Sequence, residues 1–280
     1  DMNSAQTRPP IPTTAGETIR ELYRNASPII LTILAVGLVA YRLWLGNWRP
    51  ADLIAPLAIL LIWPFFEWVI HVKLLHMTPP RMFGRTINLN VGRTHRKHHV
   101  DPNDLSDITI NLEVFPTVVP VIFLLAYGLM PTIELATGAL AMFFVLALHY
   151  EWCHFMAHVR WTPPLSYYRR RQRMHRLHHF RNENLWWGVS TGIGDLVLGT
   201  APDAADAPRW PINTQGRVAR SRNTITVAAS RSAVLSRISP IAAPRVGVRM
   251  CPQIHASAAT IGWPRPSLLA SAKDKAKAPH

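Results

Sequence analysis

The chain has 280 residues, room for one sizeable domain or two small ones, and 49% of them are apolar beside a formal charge of +14. The charge belongs to the tail: from Ala207 onward nine Arg and three Lys stand against one Asp, a net +11 that leaves +3 for residues 1–206. With no basic helix or basic-aromatic motif in that body, nucleic acid is excluded as a partner; two cysteines, Cys153 and Cys251, outside any C-x-x-C pair, exclude a disulfide framework.

Residues 1–27 read as an N-terminal cytosolic segment. Its first part, Asp1 to Gly16, is polar and proline-containing, and is not expected to be a signal peptide. Two apolar runs follow, Ile29–Leu45 and Leu53–Ile70, joined by the link GNWRPAD. Arg42 lies near enough to the end of the first to snorkel. Phe115–Met130 and Ile133–Tyr150 repeat the arrangement around a turn at Met130-Pro131. All four are apolar around their circumference, which argues against a soluble bundle whose helices keep a polar stripe. Each is close to the roughly 20 residues needed to cross a bilayer. The expected fold is therefore an all-α integral membrane protein with four transmembrane helices in two hairpins. The run from Phe115 is the exception in quality: it is short, and Pro116 and Pro120 would bend it, so a re-entrant or tilted segment is the alternative.

Basic loops set the orientation. Arg81, Arg85, Arg93, Arg96 and Lys97 follow the first hairpin; Arg160, Arg169, Arg170, Arg171, Arg173, Arg176 and Arg181 follow the second. Both groups then face the cytoplasm, and both termini with them. Residues 28–203 form the expected catalytic domain. Residues 204–280, rich in Ala, Arg, Ser and Pro, read as a disordered basic tail.

Eleven of the thirteen histidines fall between His71 and His179. They read H-x4-H at His71 and His76, H-x2-H-H at His95, His98 and His99, H-x3-H at His154 and His158, and H-x2-H-H at His175, His178 and His179. A helix advances about 100° per residue, so H-x2-H-H places its side chains at about 0°, 300° and 40°, within one face. His154 and His158 also share a face, whereas His71 and His76 stand about 140° apart and need local unwinding or ligation from two sides. Ten imidazoles are too many for one ion and suit two at about five each. His149 lies on the face opposite His158 and is left out.

An internal repeat accompanies the pattern: FEWVIH at Phe66–His71 resembles YEWCH at Tyr150–His154, each ahead of an H-x2-H-H group, so each half is expected to build one half-site. Glu67 and Glu151 stand where a carboxylate could accept the second imidazole N–H and fix its tautomer. Asp101, Asp104, Asn182 and Glu183, after the two His-His pairs, are candidates for similar roles. Trp161, Trp186 and Trp187 are candidates for a lipid entrance or for interfacial anchors.

Over Ile54–Thr200 these residues resemble the fatty acid hydroxylase superfamily, which includes fatty acid 2-hydroxylases, sterol desaturases and carotenoid hydroxylases. NLWWGVSTGIGDLVLGT, Asn184–Thr200, is similar to the segment that closes its catalytic domain. The resemblance implies a four-helix membrane anchor under a cytosolic helical cap, with His71, His76, His95, His98, His99, His154, His158, His175, His178 and His179 holding two metal ions. It implies O2 as co-substrate and hydroxylation or desaturation of a fatty acyl, sterol or carotenoid lipid. Iron is expected because zinc has no redox chemistry, although the isolated protein could hold zinc. With no H-P-G-G motif, electrons are expected from a separate ferredoxin or cytochrome b5-type donor, for which Arg169–Arg173 offers a cationic face. The alternative is a non-enzymatic membrane protein that binds or transports metal. Transport sites usually lie near the bilayer midplane, whereas these histidines begin where the apolar runs end.

Overall fold

The computed structural model describes residues 10–209, and they are mostly helical. The remainder of the expected basic tail, Cys251 included, and residues 1–9 lie outside them. α1 (Ala15–Leu22) opens on a capping box, with Thr14 accepting from the Glu17 N–H and Glu17 reaching back. α2 (Ala26–Leu45) is followed by a 3-10 turn at Pro50–Leu53, which runs into α3 (Ile54–Val69) and a π-helical turn at Ile70–Leu75. Then come α4 (Asn90–Val100), α5 (Val114–Leu129), α6 (Ile133–Ala157), α7 (Ser166–Phe180) and α8 (Ile193–Leu198).

Among the described residues, three stretches are long and apolar enough to cross a membrane: Ala26–Leu45, Pro50–Leu75 and Ile133–Ala157. The exposed positions on α2 and α3 are large and apolar, such as Ile33, Leu43 and Leu61, the last 71% exposed. That surface would be untenable in water and is natural against lipid tails. α5 departs from the expected set of four: its 16 residues make a helix of about 24 Å, short of a hydrocarbon core of about 30 Å. Pro116 falls in its first turn, where no intrahelical N–H is lost, and only Pro120 interrupts it.

α6 is the central post, packing on α2, α3, α5 and α7. Its buried stretch Ala136–Ala141 is small-residue-rich, so neighbouring backbones approach closely. A Cβ on Gly138 would sit 3.3 Å from Pro56. Leu31, Ala35, Trp63, Leu140 and Phe144 fill the core between these helices. A second cluster, Leu22, Leu105, Ile108, Phe155 and Val159, joins α1 to the end of α6, and Trp161 packs against it.

Two details correct the sequence reading. Arg42 does not snorkel: it is 5% exposed, bonded to Asp52 at 2.9 Å and to the Gly46 carbonyl at 2.8 Å, with Trp48 stacked 3.8 Å away. The link itself supplies an acidic partner, so the guanidinium is satisfied without reaching solvent. The fold also has a little strand: Arg81–Met82 pairs with Arg85–Thr86 around Phe83 and Gly84. Both turn residues have positive φ, the hallmark of a tight two-residue hairpin.

Candidate metal centre

The histidines converge from four places. The π turn carries His71 and is capped by His76, whose N–H bonds to the His71 carbonyl at 3.0 Å. Widening the helix to about 4.4 residues per turn swings residues five apart onto one face, which resolves the awkward H-x4-H spacing. α4 carries His95, His98 and His99; α6 carries His154 in its last turn, with His158 as its C-cap; α7 carries His175, His178 and His179. All ten are buried.

They form two groups of five, His71, His76, His95, His99 and His178, and His98, His154, His158, His175 and His179. Within each group one nitrogen from every ring lies within 4.8 Å of the others. In the first group the Nε2 atoms close a ring of short edges: His95 to His76 3.1 Å, His76 to His178 3.3 Å, His178 to His99 3.3 Å and His99 to His95 3.2 Å, with His71 3.1 Å from His95. In the second, His98 to His158 is 3.1 Å and His175 to His179 is 3.0 Å, while Nε2 of His154 is buried with no hydrogen-bond partner. Nitrogens bound to one ion at about 2.1 Å, at right-angled to tetrahedral spacing, lie about 3.0–3.4 Å apart.

Protonation makes the same point. His71 Nδ1 donates to the Trp187 carbonyl at 2.5 Å, His178 Nδ1 to Leu185 at 2.8 Å and His158 Nδ1 to Pro102 at 3.0 Å. Each leaves a bare Nε2 facing another ring's Nε2, a mutual repulsion that a cation between them reverses. Burial holds the cap histidines neutral. It takes His76 down to about 2 and His98 to about 3, with Asp104 and Asp101 opposing the latter fall. His95, His99, His158, His175, His178 and His179 are all pushed well below the ordinary imidazole range, by burial first and neighbouring histidines second. Neutral imidazole is the metal-binding form. The residues fit two cations of borderline softness.

Several assignments change on contact with this geometry. The expected half-sites exchange a ring: His98 of the first half joins the second group and His178 of the second half joins the first. Glu67 and Glu151 do not take an imidazole N–H. Glu67 accepts from the Val189 and Ser190 N–H groups and the Ser190 hydroxyl; Glu151 accepts from the Ser27 hydroxyl and the Ile110 N–H. A carboxylate that does stand beside one of these rings is Glu183, 3.8 Å from His99 Nδ1. Asn182 instead shapes the turn after α7, accepting from the Asn184 N–H. Trp186 and Trp187 are buried rather than interfacial. Arg171 is buried and Arg176 bonds to the Ala157 and Val159 carbonyls, leaving Arg169, Arg170 and Arg173 as the exposed cations of α7. His149 stacks on Tyr167, away from both groups.

An apolar cavity of about 290 Å³ opens beside the histidines. His95 of the first group and His154 of the second border it, and it runs between α3, α5 and α6 past Phe66, Val119, Ile122 and Phe144.

A bundle of membrane-length helices under a cap that buries two five-histidine groups defines a multi-pass membrane protein with a dinuclear metal site. Residues 56–200 match the Fatty acid hydroxylase family, and the chain belongs to that family, making it an oxidoreductase of lipid metabolism with a non-haem centre. It is 25% identical over 190 residues to a dihydroceramide fatty acyl 2-hydroxylase of Arabidopsis thaliana, covering 66% of this chain and 75% of that protein. Against a fatty acid 2-hydroxylase of Rattus norvegicus it is 31% identical, covering 52% of this chain and 39% of the rat protein. For a ceramide very long chain fatty acid hydroxylase of Saccharomyces cerevisiae the values are 26%, 51% and 37%, so the chain spans well under half of the rat and yeast relatives. A solved structure of full-length scs7p, in which only the hydroxylase domain is visible, shares the fold with TM-score 0.54 at 22% identity, covering 66% of this chain and 68% of that one.

Proposed function

We propose that this protein is a membrane-embedded, O2-dependent hydroxylase acting on the acyl chain of a lipid, with all ten histidines as ligands to two iron ions. The observation that carries the reading is the cavity: an apolar channel bordered by a ligand of each group descends among the membrane helices. An acyl chain entering from the bilayer would exchange lipid for protein contacts and present a methylene beside His95 and His154. Iron, when bound, supplies the redox chemistry with dioxygen that side chains cannot. The protein's own part is to line the chain's path with Phe66, Ile122 and Phe144, to hold each Nε2 free of its proton, and to bury the site from water.

The reading places the cap and both termini on the cytoplasmic side, from the basic loops that follow each hairpin. There Arg169, Arg170 and Arg173 would meet an acidic, separate electron donor. Residues 28–203 are the catalytic domain in this reading. A pure metal carrier has no use for an apolar channel ending on its ligands.

The test is comparative lipid analysis of cells expressing wild type and His178→Ala. A hydroxylated lipid present with wild type and lost with the variant supports the proposal. Lipids unchanged in both, with altered metal uptake, would support the carrier instead.

A further inference from the structure

The two metal groups are not held alike, and the difference lies in the segment after α7. Four consecutive backbone N–H groups, Trp187 to Ser190, are taken by two buried carboxylates. Asp195 accepts from Trp187 at 2.9 Å and from Gly188 at 2.7 Å; Glu67 accepts from Val189 and, at 2.8 Å, from Ser190. Asp195 is itself fixed by the Thr200 hydroxyl at 2.6 Å, and Thr200 accepts from the Trp68 indole at 3.0 Å. Gly188 lets the turn close, since a Cβ there would meet the Thr191 carbonyl at 1.9 Å.

The Trp186 N–H in turn donates to the carbonyl of Thr200 at 2.8 Å, the residue whose hydroxyl bonds Asp195, so the peptides from Leu185 to Ser190 are held on their N–H side and their carbonyls are aimed. Leu185 receives His178 and Trp187 receives His71, both of the first group. The Trp187 ring also packs on three first-group ligands, with centroids 5.3 Å from His71, 4.8 Å from His76 and 5.1 Å from His178.

The internal repeat shows what is missing on the other side. Ser190 lies eleven residues after His179, and Ile110 eleven after His99. Glu67 bonds the first of these N–H groups and Glu151 the second, so each half's glutamate braces the other half's loop. Asp195 stands five residues after Ser190; five after Ile110 stands Phe115, whose side chain has no acceptor.

We infer that Asp195 is a positioning residue for the first metal group alone, acting through the Trp187 and Leu185 carbonyls on His71 and His178. This rests on the reading of the two groups as metal sites. It predicts two metals of unequal retention, with the tighter one dependent on Asp195.

The experiment measures metal per chain by elemental analysis on iron-loaded full-length protein in detergent after dialysis against a weak chelator. Asp195→Asn keeps the side-chain shape but turns a donor toward the Gly188 N–H. Wild type should retain about two ions and Asp195→Asn about one. Combined with His71→Ala, which already disables the first group, Asp195→Asn should cause no further loss; combined with His154→Ala it should leave almost none. Such non-additivity is the signature of two residues acting on one site. Equal loss of both metals in Asp195→Asn, or further loss in the His71→Ala background, overturns the inference. Should Asp195→Asn fail to fold, Thr200→Val removes one bond from Asp195 and should release the first-group metal several-fold faster with the second unchanged; equal rates overturn it. A wild type that holds no metal would instead sink the metal-site reading itself.

Discussion

At the scale of single residues, the site is a problem of keeping imidazoles neutral at close quarters. Burial depresses eight cap histidines, with His98 near 3 and His76 near 2. In an unfolded chain each would titrate near 6.5. The metal-free folded state therefore has its histidine-linked stability in full above about 6.5, and loses it as pH falls toward the folded values, because the unfolded chain binds protons the folded one refuses. Each such group contributes a slope of up to about 1.4 kcal/mol per pH unit. Denaturant titration of metal-free protein in detergent should show stability falling steeply between pH 7 and 5. Metal-loaded protein should resist further into acid, since protons must then compete with the ion. A flat profile for the metal-free form would contradict neutral, buried ligands. That these ten residues gather was legible from clustering, with helical spacing setting His149 apart. Their N–H acceptors were not: Trp187 lies 116 positions from His71, and a carbonyl leaves no trace in residue identity. Glu67 and Glu151 looked like those acceptors because helical spacing puts them on the histidine face, yet distant backbone N–H groups claim them.

At the scale of elements, helical period explains how one short motif serves two ions. In H-x2-H-H the first and last rings are four apart and nearly in register, whereas the middle one lies about 60° to one side of the first and 100° from the last. The structure follows that division: His95 and His99 go one way and His98 the other, His175 and His179 one way and His178 the other. The split was implicit in the spacing, but its partners depended on how α4 and α7 face each other, which only packing decides. The π turn shows the reverse case, where spacing demanded an irregularity and the backbone supplied it. Deleting Lys73, an interior residue of that turn, would leave three residues between the ring-bearing positions, the i, i+4 spacing that an ordinary α-helix places on one face. The N–H of the second histidine would then reach the His71 carbonyl as an ordinary α-helical bond. Metal analysis should show both ions retained. Loss of the first-group ion with the second retained would mean that sharing a face is not enough and that the widened turn itself sets the two rings.

At the scale of the whole molecule, the two halves exchange parts: each lends one ring to the other's metal group, and each glutamate braces the other's loop. Neither half can complete a group alone, so the cap closes only when both hairpins have met around α6. The membrane character was plain from unbroken apolar runs; the brevity of α5 set it apart, and the structure gives that helix a particular place, as one wall of the cavity. Val118, Val119 and Ile122 of α5 face Phe143, Phe144 and Ala147 of α6 across it. Ile122 sits eight residues into α5, about 12 Å from the cap end, so its side chain meets the deeper part of a bound chain. Ile122→Trp should remove room for roughly two methylenes, costing a long acyl chain about 1.6 kcal/mol of burial, or about tenfold in kcat/KM. A substrate two carbons shorter should lose far less, and metal content should stay at wild-type level because no ligand or its carbonyl acceptor is touched. Product analysis with a ladder of chain lengths reads the shift directly. If all lengths fall together, the cavity is not the channel that measures the chain, and the acyl group must reach His95 and His154 by another path.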